Sequence, residues 1–225
     1  MKFLKITILT LAIFTLSYCN SNSQKQITNP KQAEISADTS FNFENYDLNT
    51  NPQDWQTDLT GKGKICEWKI LNDNNNKILA QTSNEKQSYR FNLITNKNLY
   101  YKNLQISVRF KGISGKKDQG GGPVWRYIDK NNYYVARANP LENNFRVYKV
   151  VNGNRKELKS ADIEIDSNKW YNIKIIMNGN KIKCYFNGKL ELETTDNTFP
   201  DAGKIGLWTK SDAVTYFDNL KILSK

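Results

Sequence analysis

The chain has 225 residues, 33 Lys and Arg against 22 Asp and Glu, a formal charge of +11, and no histidine. Without imidazole, Ser-His-Asp and Cys-His nucleophile activation and the usual histidine-bearing zinc sites are excluded, so any hydrolysis would have to run on carboxylates. The lysines are scattered and no run of five like charges occurs, so the positive balance reads as a solvated surface; nucleic acid is not an expected partner, and no cofactor or metal is expected.

At the N-terminus, Lys2 and Lys5 precede an apolar run from Ile6 to Leu16. The run is too short to span a bilayer and long enough for the hydrophobic region of a signal peptide covering residues 1–18. It ends in Leu16-Ser17-Tyr18-Cys19, which resembles a bacterial lipobox with Tyr18 in place of the usual Gly or Ala. Cys19 is therefore the expected lipidation site, which places the protein in the cell envelope, exported and held to a membrane by lipid. Residues 19–40 are polar, almost without large apolar side chains, and read as a flexible tether. Residues 41–225, about 185 in all, suffice for one β-sandwich and are too few for two comfortable domains.

Within that domain, period-two alternation predicts strands at Phe41 to Tyr46, Ile65 to Leu71, Ile78 to Thr82, Tyr89 to Leu93, Leu104 to Phe110 and Gly122 to Tyr127. Further strands are expected at Tyr133 to Asn139, Phe145 to Val151, Lys156 to Ile163, Trp170 to Met177, Lys181 to Phe186, Leu190 to Glu193, Lys204 to Trp208 and Val214 to Leu223. Asn152-Gly153, Asn178-Gly179 and Asn187-Gly188 separate some of them, and these dipeptides tolerate positive φ at both centres of a tight hairpin. No stretch shows a 3.6-residue period. Regularly spaced strands without intervening helices predict an all-β fold, an antiparallel two-sheet sandwich. Cys66 and Cys184 share strand parity with core positions, either as two free thiols, the favoured reading, or as a disulfide.

Two segments, GKIGLWTKSDAVTYFDNL from Gly203 to Leu220 and NYYVARANPLENN from Asn132 to Asn144, resemble the concanavalin A-like lectin/glucanase superfamily. Within it they are most similar to the laminin-G-like and 3-keto-disaccharide hydrolase type domains, over roughly Phe41 to Leu223. The resemblance implies a jelly roll with ligands on the concave face or at the loop rim, and carbohydrate as the partner. Such a sandwich hosts many unrelated sites, so function has to be read from residues.

Glucanases of this superfamily carry two glutamates flanking an aspartate on one strand face. Glu164-Ile165-Asp166 begins that pattern but lacks the second glutamate. Glu191 and Glu193 share a face, and with Leu190 and Leu192 turned to the core they point to solvent. Asp129, Asn131 and Asn132 supply half of a calcium loop at most and read as a hairpin turn.

The arginines carry a stronger signal, because there are only six among 33 basic residues and a planar, multidentate donor is not interchangeable with lysine. Arg126, Arg137 and Arg146 fall on three successive predicted strands beside Trp125, Tyr134 and Tyr148, with Asn139, Glu142, Asn143 and Asn144 close in sequence. Aromatic faces with fixed polar forks suit a pyranose; pairing with Glu142 or Asp218 to satisfy a half-buried sheet is the alternative. Trp208, as core or groove, and Lys210 complete the candidate ligand set of Arg126, Arg137, Asn139, Glu142, Arg146, Tyr148, Trp208 and Lys210. The function expected is carbohydrate binding without catalysis; a carbohydrate-active hydrolase or lyase, or a structural or protein-binding module, are the alternatives.

Overall fold

The computed structural model describes residues 37–225; the leader, Cys19 and most of the tether lie outside them. The strands are β1 (Thr39–Phe41), β2 (Trp55–Gly61), β3 (Trp68–Asn72), β4 (Lys77–Gln81), β5 (Arg90–Tyr101), β6 (Leu104–Ser114), β7 (Gly121–Asp129) and β8 (Asn132–Asn139). They continue with β9 (Asn144–Val151), β10 (Asn154–Asp162), β11 (Tyr171–Asn178), β12 (Lys181–Phe186), β13 (Lys189–Thr195), β14 (Gly203–Lys210) and β15 (Val214–Ser224). One sheet runs β13-β12-β11-β6-β15-β4-β3 with β1 added beside β15, and the other runs β10-β9-β8-β7-β14-β5-β2. Every pairing is antiparallel, and the fold is an all-β jelly-roll sandwich of two sheets.

Alternation along the strands builds two apolar layers from one chain. Between the sheets lie Ile106, Val108 and Phe110 of β6, Ile173 and Ile175 of β11, Trp125 of β7, Tyr134 and Ala136 of β8, and Leu207 of β14. Trp125 stacks on Tyr134, whose ring meets Phe199 edge-on. Burying a side chain of this size is worth about 1.5–3 kcal/mol, so this layer dominates stability. A second, smaller cluster covers the outer, concave face of the seven-stranded sheet: Phe91, Leu93, Val124, Tyr127, Tyr133, Val135, Tyr148, Val150 and Trp208. Seven strands can bury both faces only where the sheet curls on itself. The β9–β10 hairpin folds back so that Tyr89 Oη donates to Gly153 O, and Thr60 Oγ1 donates to Lys130 O between β2 and the β7–β8 turn.

The hairpins behave as their chemistry requires, with one shift. Asn152-Gly153 (φ 50° and 79°) and Asn187-Gly188 (φ 47° and 86°) occupy both centres of two-residue turns. At the third, Asn178 pairs with Lys181, so the turn centres are Gly179 and Asn180 and only Gly179 (φ 57°) is left-handed. Three strand expectations need correction. β2 was not expected, because polar Thr57, Asp58 and Thr60 interrupt its alternation at the sheet edge. β5 continues through polar Thr95–Asn98 to Tyr101. The strand expected to reach Tyr46 ends at Phe41, since Phe43 turns at φ 61°. A bulge at Glu191 of β13, opposite Cys184 and Tyr185, also turns Leu190 outward, 41% exposed, while Leu192 stays buried. Cys66 and Cys184 are free, buried thiols. Asp129 Oδ1 accepts from Asn131 N (2.7 Å) and Asn132 Nδ2 (2.9 Å), closing a two-residue hairpin turn.

Candidate functional site on the concave sheet

Register places Arg137 of β8 directly opposite Arg146 of β9. Like charges in a cross-strand pair repel, and the turn between the strands supplies the compensation. Glu142 Oε2 accepts from Arg137 Nη2 at 2.8 Å and lies 3.5 Å from Arg146 Nη1. Arg137 is further held by Asn144 Oδ1 (2.6 Å) and the Tyr148 hydroxyl (3.4 Å). Arg146 Nε donates to Ser160 Oγ (3.0 Å) and pairs with Glu157. Two bases thus share one acid on a face where Arg137 is buried and Arg146 half-exposed.

Next to this bracket, the fully buried Asp118 carboxylate accepts from Lys210 Nζ (2.7 Å), Asn139 Nδ2 (3.2 Å) and Gly120 N (2.7 Å). Glycine is required at 120: a Cβ there would lie 2.8 Å from Asp118 Oδ1 and 2.9 Å from Arg137 Cδ. The segment that carries Asp118 is tied down from beneath by Asp212, whose carboxylate accepts from the backbone N–H groups of Lys116, Lys117 and Asp118 at 2.9–3.1 Å. Burial works to raise the Asp212 carboxyl, and the three amides overcome it and hold it below the usual aspartate range.

The structure therefore gathers Arg137, Asn139, Glu142, Arg146, Tyr148 and Lys210 at one end of the concave trough. Trp208 lies on the same face, packed on Phe91 (5.3 Å between centroids) and fully buried, so it belongs to the trough floor and not to the core between the sheets. Arg126 is not with them. Val124 and Tyr127 both face the trough, which leaves one residue too many between them, and the register against β8 and β14 shifts there. This bulge puts Arg126 at φ 44° and sends its guanidinium to the end of the sandwich, donating to Lys102 O (2.9 Å), Phe199 O (2.6 Å) and Gly179 O (2.7 Å). Without the bulge, parity would have aimed it into the trough beside Tyr133.

Sequence reasoning did not select Arg155, Asp118 or Asp212. Arg155, on the edge strand β10, lies across the trough floor with its guanidinium 4.4 Å from the Tyr148 ring centroid, 5.0 Å from Phe91 and 5.7 Å from Trp208. It is one of the six arginines, so the scarcity argument applied to it equally. The curl that brings β10 over β5 and β14 is not visible in a linear pattern.

The family model for the 3-keto-alpha-glucoside-1,2-lyase-like domain matches residues 54–223. The chain belongs to this family. Among solved structures it is similar to the carbohydrate-binding module CBM66 from Bacillus subtilis, with 21% identity and a TM-score of 0.63 over 76% of this chain and 96% of that one. It is also similar to a galectin-like-fold protein of unknown function from Bacillus subtilis (12% identity, TM-score 0.55, 76% and 90% covered). A third likeness is to the GH43 protein BlXynB from Bacillus licheniformis (16% identity, TM-score 0.57), covering 87% of this chain and only 40% of that one. These likenesses establish the fold. Curated protein sequences yield no match.

Burial tends to raise the Glu142 carboxyl, but the charge and hydrogen bond of Arg137, with Asn144 adding, hold it below the ordinary glutamate range. A carboxyl kept ionised is a poor proton donor near neutrality. Asp118 already receives three donors on its two oxygens. Among the described residues, no group of three or more Cys, Asp or Glu side chains is placed to hold a metal. Glu191 pairs with Lys189 and Glu193 with Lys183 on the opposite sheet, away from the trough.

Proposed function

We propose that this family domain binds carbohydrate in the concave trough without catalysing its cleavage, and that lipid on Cys19 displays it from a membrane on the tether of residues 19–40. The observation that carries the reading is the Arg137–Glu142–Arg146 bracket set beside the Tyr148 and Trp208 rings. The half-exposed Arg146 and Glu142 present fixed polar forks that suit a sugar's hydroxyls, and the buried Tyr148 and Trp208 rings are the floor on which the bracket is built. The likeness to a carbohydrate-binding module over nearly all of that module supports the same reading.

The family's lyase-like description favours the second reading, an enzyme acting on sugars. Proton abstraction or acid-assisted departure needs a side chain whose pKa lies near the working pH. Glu142 is held below its ordinary range by Arg137, so it does not offer that group as a proton donor. A glycan array and a reducing-sugar release assay on the same purified protein test the choice. Binding without release of reducing ends or 3-keto products is expected; turnover abolished by Glu142→Gln would replace the binding reading with the enzymatic one.

A further inference from the structure

The hydrogen-bond inventory of the trough does not close. Arg155 makes no hydrogen bond or ion pair with any described residue; its contacts are the three rings beneath it. Its Nη1 is sealed from water without a partner, and so is Arg137 Nε, while the Trp208 indole N–H is turned toward the Tyr133 hydroxyl. Both unpartnered atoms are N–H groups, and a guanidinium cannot accept a hydrogen bond. The nearby acids are committed: Asp118 to Lys210, Asn139 and Gly120, and Glu142 Oε2 to Arg137, Asn144 and Arg146. The unmet demand on this face is therefore for acceptors.

A sugar hydroxyl that accepts from such donors still carries its own proton, which needs an acceptor in turn. An acceptor-only group leaves no such remainder. Carboxylate, sulfate and phosphate are acceptor-only, planar or fork-shaped toward a guanidinium, and bind it through two parallel bonds.

We propose that the glycan bound in this trough carries an anionic group, and that this group docks on Arg155 and Arg137 above the Trp208 and Tyr148 rings. The proposal rests on the carbohydrate-binding reading and names the class of sugar it takes, an acidic one. Burial drives Arg155 below its ordinary basicity and the positive Arg137 adds to that effect, against the opposing pull of Tyr148 and Asp118. A guanidinium held only by ring faces gains about 0.5–2 kcal/mol from them. With no hydrogen bond to hold its head, the guanidinium can keep its stack on the rings and offer its N–H edge to a ligand. This recognition concerns one group at one end of a sugar and not a polyanion, consistent with the scattered lysines.

Isothermal titration of the full-length protein, solubilised in neutral detergent, with paired ligands tests this. The pairs are a uronate-terminated oligosaccharide and its uronamide, and a sulfated or phosphorylated oligosaccharide and its uncharged parent, with inorganic sulfate and phosphate as controls. The charged member of at least one pair should bind about 10- to 100-fold more tightly, the worth of charge-assisted hydrogen bonds, and the pair showing it identifies the anion. In Arg155→Met, which keeps an unbranched apolar stem over the rings, the acidic glycan should fall to the affinity of its neutral twin while the thermal midpoint stays near wild type. Uronamide and parent sugar binding as tightly as the charged forms, or a preference that survives Arg155→Met, overturns the proposal and leaves carbohydrate binding standing. Inorganic sulfate or phosphate binding as tightly as the sugar-borne group overturns it in favour of a bare anion site. If neither acidic nor neutral glycans bind, the carbohydrate reading itself fails.

Discussion

Replacing Arg126 by Met should cost the protein stability and leave sugar binding untouched, the opposite of what its place in the sequence beside Arg137 and Arg146 suggests. The Arg126 side chain is almost fully buried and donates to three main-chain carbonyls at 2.6–2.9 Å, tying together the β5–β6 turn, the β11–β12 turn and the segment before β14. Hydrogen bonds to a charged donor contribute about 1.5–3 kcal/mol each, and a carbonyl left buried and unmatched loses more than one that water can reach. The Phe199 carbonyl bond is buried, whereas the other two are half-buried and regain part of their loss from solvent. The sum comes to about 3–5 kcal/mol, comparable to removing one partner of a buried ion pair. For a domain of this size that lowers the thermal midpoint by roughly 6–20 °C. Urea unfolding of wild type and variant, with titration of a bound glycan at a temperature where both are folded, reads the two effects separately. A loss under about 1 kcal/mol together with weakened binding would refute the structural assignment and return Arg126 to the ligand set.

Glu142 should make stability acid-sensitive. Its folded pKa is depressed, so its contribution is present in full above the ordinary glutamate value of 4.5 and is lost as pH falls through the lower folded value; urea midpoints measured between pH 6 and 3 should drop below about pH 4.5. The drop should be shallower in Glu142→Gln though not absent, since Asp196 and Asp212 are also held low, and parallel curves for the two proteins would contradict it. Asp212→Ala should free the backbone amides of Lys116, Lys117 and Asp118 and loosen the segment that presents Asp118. The expected result is a stability loss of about 1–3 kcal/mol and faster hydrogen exchange at those amides, with weaker glycan binding; unchanged exchange there would show that the loop holds itself. Cys19→Ala should release the protein from the detergent phase or leave the leader attached. Detergent partitioning that persists with the leader removed would sink the lipid anchor.

Legibility of the site varied with how local its causes are. Arg137, Asn139, Glu142, Arg146 and Tyr148 come together because one hairpin carries them all, and a two-strand register with a four-residue turn is a short-range fact. Lys210 joins through β14, whose parity the sequence also shows. Arg126 and Arg155 were misjudged for opposite reasons. One extra residue in β7 turned a trough-facing arginine out of the trough, and the curl of the sheet carried an edge-strand arginine into it. Asp118 and Asp212 sit in segments without periodicity, where a carboxylate's role depends on backbone amides nearly a hundred residues away.

The sequence by itself determined the all-β class, most strand positions, two of the three Asn-Gly turns as type-specific hairpins and the exclusion of imidazole chemistry. Each of these depends on alternation with period two, on φ preferences of single residues or on composition, all of which are written locally. The tertiary structure alone decided which face of the seven-stranded sheet became a second apolar floor, which arginines meet over it, and which N–H groups there lack an acceptor. Those outcomes turn on a one-residue bulge and on sheet curvature, small local irregularities that reverse a side chain's facing or bring together strands far apart in sheet order, and no alternation pattern records them.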